Sequence, residues 1–553
     1  MFTEARLDAV VLGGGLLGCF AARHLTSYRL RCGLVEARED VCTGISRGNS
    51  AIIYTGYDNK PNTRKARLCV QANRDFPRLC AQLGVPFARR GSLLVSYGPR
   101  GDEVVRRKYG QGLENGVEGL ELLTGAQAMA LEPGLAEGIS SALLAPGTGV
   151  TDPWALCFAA YENARANGCQ VYLHAPVTAL IQEGRDWIIT AGPHTLRAGA
   201  VINCCGLEAH RIQELCTAPT VRVIPGRADY LVLDQPAGPY VRHVIFAEPE
   251  EGGKGLTLVP TMEGKLLLGP SEQAGGGRPD RAVTPEGLEF LRRMAARVVP
   301  SLDLGQSIRA FGAVRPNPYY VRREGEAWVP EEGSIHSFFI GNPCPGLWSL
   351  IGIKTPGLTC ASALGAMLAR QAAAYLGKEA LNPNFDPCRP PPPRPRELDA
   401  PARRALVQAD PAYGRVICRC EDVTEGEILH AIRQGAVTLD GVKRRVGAGL
   451  GRCQGGWCMD RVLEQTGKTM DDVDFFVFHQ ANARIIDLAA KKYHIPPEKY
   501  YKNIQKYGNT SAASIPLVIS ELHDLGKVGP GSRVLVVGFG GGLTWGGALV
   551  EFA

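Results

Sequence analysis

No stretch of this 553-residue sequence stays apolar for the roughly 20 residues a helix needs to cross a bilayer, so a membrane-spanning protein is not expected. A charged leader ahead of the first apolar run is also missing, and no signal peptide is read at the N-terminus. Basic residues are nowhere interleaved with aromatics along a stripe, and the net charge is only +6, which argues against a nucleic-acid partner. What the chain has in quantity is ordinary apolar content, 45%, enough for several buried cores at this length. It also has 17 cysteines, an odd number that fits no disulfide framework and suits a reducing, cytoplasmic compartment. Most are scattered; four, at 418, 420, 453 and 458, are not.

The stretch that organises the chain is VVLGGGLLG, residues 10–18. The apolar run Ala9–Leu12 reads as a buried strand, and Gly13-x-Gly15-x-x-Gly18 as a tight turn into a helix. Glycines let the backbone approach a pyrophosphate, and the helix N-terminus offers it free amides and a favourable dipole. A second apolar run, Cys32–Val35, ends at Glu36, where an acidic residue would grip a ribose hydroxyl. A glycine turn with no ligand is the bland alternative; the strand, turn, helix and acid in sequence speak for a dinucleotide.

With the motif NSAIIYTGYD at residues 49–58, these residues resemble the FAD-dependent amino-acid and hydroxy-acid oxidoreductases. Within that superfamily the chain is similar to the anaerobic glycerol-3-phosphate dehydrogenase large subunit and the L-2-hydroxyglutarate oxidases. The resemblance extends through Gln170–Leu173, Val177–Leu180, Val201–Leu207 and the segment LIGIKTPGLT, residues 350–359. It implies FAD, held by Gly13, Gly15, Gly18, Glu36, Asn49, Ser50, Val177, Gly206, Gly357, Leu358 and Thr359. The substrate-site residues it implies are Arg315, Tyr54 and Lys354. Arg315, in FGAVRP, would pair with a substrate carboxylate or phosphate in bidentate fashion, although a surface arginine is the alternative. Tyr54 stands where family members often carry His, and Lys354 where they often carry an acid. Strand-like alternation between about 152 and 270 suits an antiparallel substrate domain, though alternation fits any half-buried sheet.

A Pro/Arg-rich segment, residues 386–411, reads as an extended, solvated linker. Beyond it, Cys418-x-Cys420 and Cys453-x4-Cys458 form two close thiolate pairs. Such pairs close a sulfur site around zinc or iron, and the C-x-C spacing favours iron–sulfur over zinc, with unligated thiols as the remaining reading. VICRCEDVTEGEI and GLGRCQGGWC resemble the bacterioferritin-associated ferredoxin type of [2Fe–2S] domain.

From about residue 465 the sequence changes character. FFVFHQANAR, YGNTSAAS and VVGFGGG resemble the C-terminal quarter of β-ketoacyl-acyl-carrier-protein synthase III. The resemblance places His479 and Asn509 in decarboxylation chemistry, but the cysteine nucleophile belongs to the family's N-terminal half, which is absent. A joined reading frame, a degenerate fusion or a docking appendage would each produce such a tail. Its apolar strands, Phe475–Phe478 and Val534–Gly538, are expected to lack partners and to leave an apolar patch.

The expected architecture is therefore α/β. A Rossmann-type FAD-binding domain with an antiparallel α+β substrate domain fills residues 1–385. The nucleotide part comes from 1–80, 150–215 and 330–380. The linker 386–411, a [2Fe–2S] domain over 412–464 and a partial thiolase-like segment over 465–553 follow. The expected activity is oxidation of a small anionic alcohol, glycerol 3-phosphate first and a 2-hydroxy acid or amino acid second. Electrons would pass through the cluster to an acceptor protein or partner subunit, with peripheral membrane association through that partner compatible. A synthase fragment inactive alone is the rival of another class.

Overall fold

The computed structural model describes residues 3–248, 255–273, 283–452, 472–480, 483–492, 494–507, 514–539 and 545–552. The chain divides into two compact units, residues 1–391 and 392–553.

The first unit is built on strand β1 (Thr3–Leu12), helix α1 (Leu16–Leu25) and strand β2 (Cys32–Val35). β1 pairs in parallel with β2, Ala9 opposite Cys32 and Leu12 opposite Val35, and on its other edge with His194–Asn203. Among the described residues these belong to an eight-stranded sheet that also takes in 170–172, 177–191 and 339–351. Val10, Val11 and Leu12 are fully buried, as a continuous apolar run requires when both faces of a parallel sheet are covered. One face packs on α1 through Phe20 and Leu25, and on the other Val10 and Leu12 cluster with Trp187 and Leu196 of neighbouring strands.

The second sheet of this unit is nine-stranded among the described residues and runs from Ala327–Pro330 through Ser307–Glu324, Val221–Leu233 and Leu266–Gln273 to Glu121–Thr124. All its pairings are antiparallel except that of Val244–Ala247 with Ser92–Ser96. The strand-rich stretch between 152 and 270 is thus split between the two sheets, because alternation reports half-burial and not which sheet a strand joins. Three helices matter for the site: α2 (Arg64–Leu83), α3 (Pro99–Glu114) and α4 (Gly357–Tyr375).

The segment expected as an extended linker is ordered. Arg389 pairs with Glu162 at 2.6 Å, Arg23 donates to the Pro387 carbonyl at 2.9 Å, and Ala400–Ala409 is a helix. Asp399 caps that helix by accepting from the Ala402 amide, and its alanines favour the helix over the extended state that prolines impose elsewhere in the segment.

In the second unit the hairpin Val416–Cys418/Val423–Thr424 runs into the helix Glu425–Arg433, started by a Thr424/Glu427 capping box. Ile417, Val423, Ile428 and Val442 form its core. The tail strands do find partners: Phe475–Phe478 pairs in parallel with Arg533–Phe539, which pairs antiparallel with Trp545–Glu551. Val477, Val518, Leu522 and Val534 are buried between that sheet and the helix Ser514–Asp524, so the tail covers part of its own apolar surface. Among the described residues no helix is long and apolar enough to cross a membrane.

Candidate functional site

The turn after β1 opens a cavity of about 1200 Å³ in the first unit. Gly13, Gly15, Leu16 and Leu17 line one end of it, at the N-terminus of α1. Gly13 takes a positive φ of 98°, and a Cβ there would lie 2.7 Å from the Cys204 carbonyl oxygen. Gly18 does not line the cavity. A Cβ on it would collide with the Gly13 carbonyl, so its part is to let α1 start tight against the turn.

Glu36 sits at the end of β2 with its carboxylate facing the same cavity. It accepts from the Gly14 amide at 2.6 Å and the Arg38 amide at 2.9 Å, while burial holds its pKa above the usual range. The Ser46 hydroxyl accepts from the Leu16 amide at 2.9 Å, bracing the helix start from the 46–58 loop. Asn49 organises that loop, donating to the Ser46 carbonyl at 3.1 Å and accepting from the Ala51 amide at 2.8 Å.

Asn49, Ser50, Val177, Gly206, Gly357 and Leu358 line the cavity too. Thr359 does not; it is buried, and its hydroxyl accepts from the Tyr54 amide at 3.0 Å, tying the 46–58 loop to the first turn of α4. The cavity therefore offers a glycine turn, two helix N-termini and a carboxylate at a strand end, a donor set that fits an extended dinucleotide such as FAD.

Arg315, Tyr54 and Lys354 come together at the wall this cavity shares with a second one of about 960 Å³. Arg315 is half-buried on the strand Ser307–Glu324, where Gly226 faces it across the register. Burial lowers its pKa, opposed by Tyr230 and Tyr54. Burial raises the Tyr54 pKa against the Ser50 hydrogen bond and the Arg315 charge, so the phenol stays protonated and acts as a donor. Lys354 donates to Asn317 Oδ1 and Ser334 Oγ, both at 3.3 Å. Asn317, Ser334 and, in the second cavity, Lys65 and Gln111 were not visible from motifs. A pair of cations opening a long amphipathic helix with no acid in its first turn, Arg64-Lys65, is the signal that could have marked Lys65.

In the second unit Cys418 is buried and Cys420 half-buried. A Cβ on Gly451 would collide with Cys420, so Gly451 packs directly on Cys420. Cys453 and Cys458 lie outside the described residues, as does Asn509. In the tail, His479 Nδ1 hydrogen-bonds the Ser514 hydroxyl, which also accepts from the Gln480 amide at 3.1 Å. The stretch Ala155–Ala160 has the texture of a nucleophile segment, but its Cys157 is buried in the first unit, 3.8 Å from Cys19.

Three family models match: FAD dependent oxidoreductase over residues 8–371, BFD-like [2Fe-2S] binding domain over 416–464, and 3-oxoacyl-[acyl-carrier-protein] synthase III C terminal over 463–552. A glycerol 3-phosphate dehydrogenase of Caloramator mitchellensis is 36% identical over 459 residues, covering 83% of this chain and 93% of that protein. The tail is 48% identical over 92 residues to a beta-ketoacyl-[acyl-carrier-protein] synthase III of Clostridium acetobutylicum, of which it spans only 28%. Among solved structures, the dithionite-reduced, FAD-bound L-alpha-glycerophosphate oxidase of Mycoplasma pneumoniae superposes with a TM-score of 0.62 at 24% identity, over 69% of this chain and 98% of that one.

Proposed function

Because the chain belongs to the FAD dependent oxidoreductase family and carries a BFD-like [2Fe-2S] domain behind it, we propose that it oxidises glycerol 3-phosphate to dihydroxyacetone phosphate and sends the electrons out through the cluster. The observation that carries this reading is the junction at Arg315, where a dinucleotide-shaped cavity meets a second one walled by cations.

FAD, when bound, takes the hydride equivalent that leaves the substrate carbon. The hydroxyl proton leaves to water as the carbonyl forms, and the chain's own residues bind and orient. The Gly13–Leu16 turn would hold the pyrophosphate, Glu36 the adenosine ribose, and the N-terminus of α4 at Gly357 and Leu358 would favour negative charge on the ring system. Arg315 grips the anionic substrate by a planar two-point contact and so fixes which carbon faces the ring. Tyr54, kept as a phenol, donates to the substrate oxygen or anion; Thr359 and Ser50 hold the loop that carries it.

The [2Fe–2S] domain turns a two-electron oxidation into single-electron exits toward an acceptor protein. The tail contributes nothing to this reaction: it has His479 without the half that would supply an acyl-enzyme. The abundance of thiols supports a reducing, cytoplasmic setting. The test is anaerobic exposure of the FAD-loaded chain to single substrates. Glycerol 3-phosphate is expected to bleach the flavin about tenfold faster than L-2-hydroxyglutarate or any amino acid. Faster bleaching by either of those replaces the reading.

A further inference from the structure

Beyond Arg315 the second cavity has a wall of one sign. Lys60, Lys65, Arg315 and Lys354 face it, and Asp58, ion-paired to Lys108 of α3, is the one carboxylate among its described lining residues. These cations come from three segments distant in sequence, so they are not the solvated face of one helix. Lys65 is the least expected of them. It stands in the first turn of α2, whose cap residue Thr63 also lines the cavity, and that turn carries Arg64 and Lys65 with no acid. A helix N-terminus selects acids there, because its own partial charge is positive. The Lys65 ammonium donates to the His336 backbone carbonyl at 3.3 Å and lies 5.7 Å from the Phe338 ring centroid, and neither group carries a formal charge. Burial pulls its pKa below the usual lysine value, opposed by the charge of Asp58.

Thr55 and Gln111 also line the second cavity, with Thr55 Oγ1 and Gln111 Oε1 turned into the protein and shut off from that space.

We propose that the second cavity is the recognition pocket for the phosphate end of the substrate, in which Lys65 joins Lys354 and Arg315 on a phosphate dianion. The inference rests on the glycerol 3-phosphate reading above and names the residue that sets its charge selectivity. Lys65 matters because a dianion needs more positive charge than a monocarboxylate does, and a point-like ammonium at a helix N-terminus supplies it without demanding one orientation.

The experiment is calorimetric titration of the FAD-loaded chain with inorganic phosphate, alongside flavin reduction by glycerol 3-phosphate. Lys65→Met is expected to weaken phosphate binding about tenfold or more and to raise KM for glycerol 3-phosphate by a larger factor than it lowers kcat, with FAD content retained and Lys65→Arg recovering most of the loss. Should Lys65→Met fail to retain FAD, the smaller change Lys65→Gln, which removes the charge and keeps a polar side chain, is expected to weaken phosphate binding in the same direction. Phosphate that binds the wild-type chain in a Lys65-dependent way while glycerol 3-phosphate fails to bleach the flavin would leave the pocket standing and remove the substrate. Phosphate that does not bind, or binds Lys65→Met and Lys65→Arg as it binds wild type, overturns the pocket.

Discussion

The flavin unit and the tail differ in what surrounds their residues of recognisable catalytic type: in the first these line a cavity of about 1200 Å³, and in the second they belong to a match that spans 28% of a synthase. In the first unit five segments far apart in sequence, at 13–17, 36, 46–58, 315 and 354–358, line one cavity. Three of them are fixed by contacts outside themselves: Leu16 by Ser46, Glu36 by Gly14, Tyr54 by Thr359. In the tail His479 and Ser514 are also brought into hydrogen-bond contact and the strands are paired, so local order is not what is missing. What is missing is the half of the fold from which a nucleophile would come. A nucleophile needs its base and oxyanion partners within hydrogen-bond reach, and we propose that a segment matching 28% of a synthase does not supply them.

The largest effect expected from breaking this comparison is on the glycine turn. Gly15→Val would set a branched side chain against Ser46 Oγ, 3.3 Å from the would-be Cβ, and against the space meant for the pyrophosphate. FAD per chain, read from the visible spectrum, should fall below about a tenth of wild type; a fully yellow variant would move the nucleotide site elsewhere. Next comes Arg315→Lys, which keeps the charge and loses the planar fork. The expected loss is on the order of 2–4 kcal/mol in kcat/KM, roughly 30- to 900-fold, with FAD content unchanged. Unaltered kinetics would return Arg315 to a structural role.

Cys418→Ser sharpens the comparison from the other unit. Iron and acid-labile sulfide should disappear, and turnover with one-electron acceptors should fall by about tenfold or more, while anaerobic bleaching of the flavin by substrate persists. Stoichiometric zinc in the wild-type chain, with no iron or sulfide, would contradict the cluster. The smallest effect belongs to the tail. A chain ending at residue 470, beyond the match to the [2Fe-2S] domain, should reduce its flavin and turn over within about twofold of wild type, and His479→Ala should change nothing. Synthesis of acetoacetyl-carrier protein by the intact chain, abolished in His479→Ala, would overturn the assignment of an idle tail.

Most of the cofactor end was legible in advance because its signals are local: a glycine turn between an apolar strand and a helix, an acid at the next strand end, cysteines at short spacing. Gly18 and Thr359 show the limit of that legibility, since both lie off the cavity and act through packing and a hydrogen bond to Tyr54. The second cavity was not legible at all. Lys65, Gln111 and Thr55 sit on α2, α3 and a loop, and nothing in their spacing shows that they line one cavity. The linker misled for a different reason: its prolines suggest extension, whereas Asp399 and the alanines after it start a helix. The tail strands were expected to stay unpaired because the family's full sheet is absent, yet three short strands pair among themselves.

If flavin and cluster serve one oxidation and the tail none of it, the direct test is to add glycerol 3-phosphate to the full, FAD- and cluster-loaded chain without oxygen or any acceptor, and to record the visible and electron paramagnetic resonance spectra together. The flavin is expected to bleach and the signal of a reduced [2Fe–2S] cluster to grow with it, in the full chain and in the chain ending at residue 470 alike. A flavin that stays oxidised, or a cluster that stays silent while the flavin bleaches, contradicts that shared role.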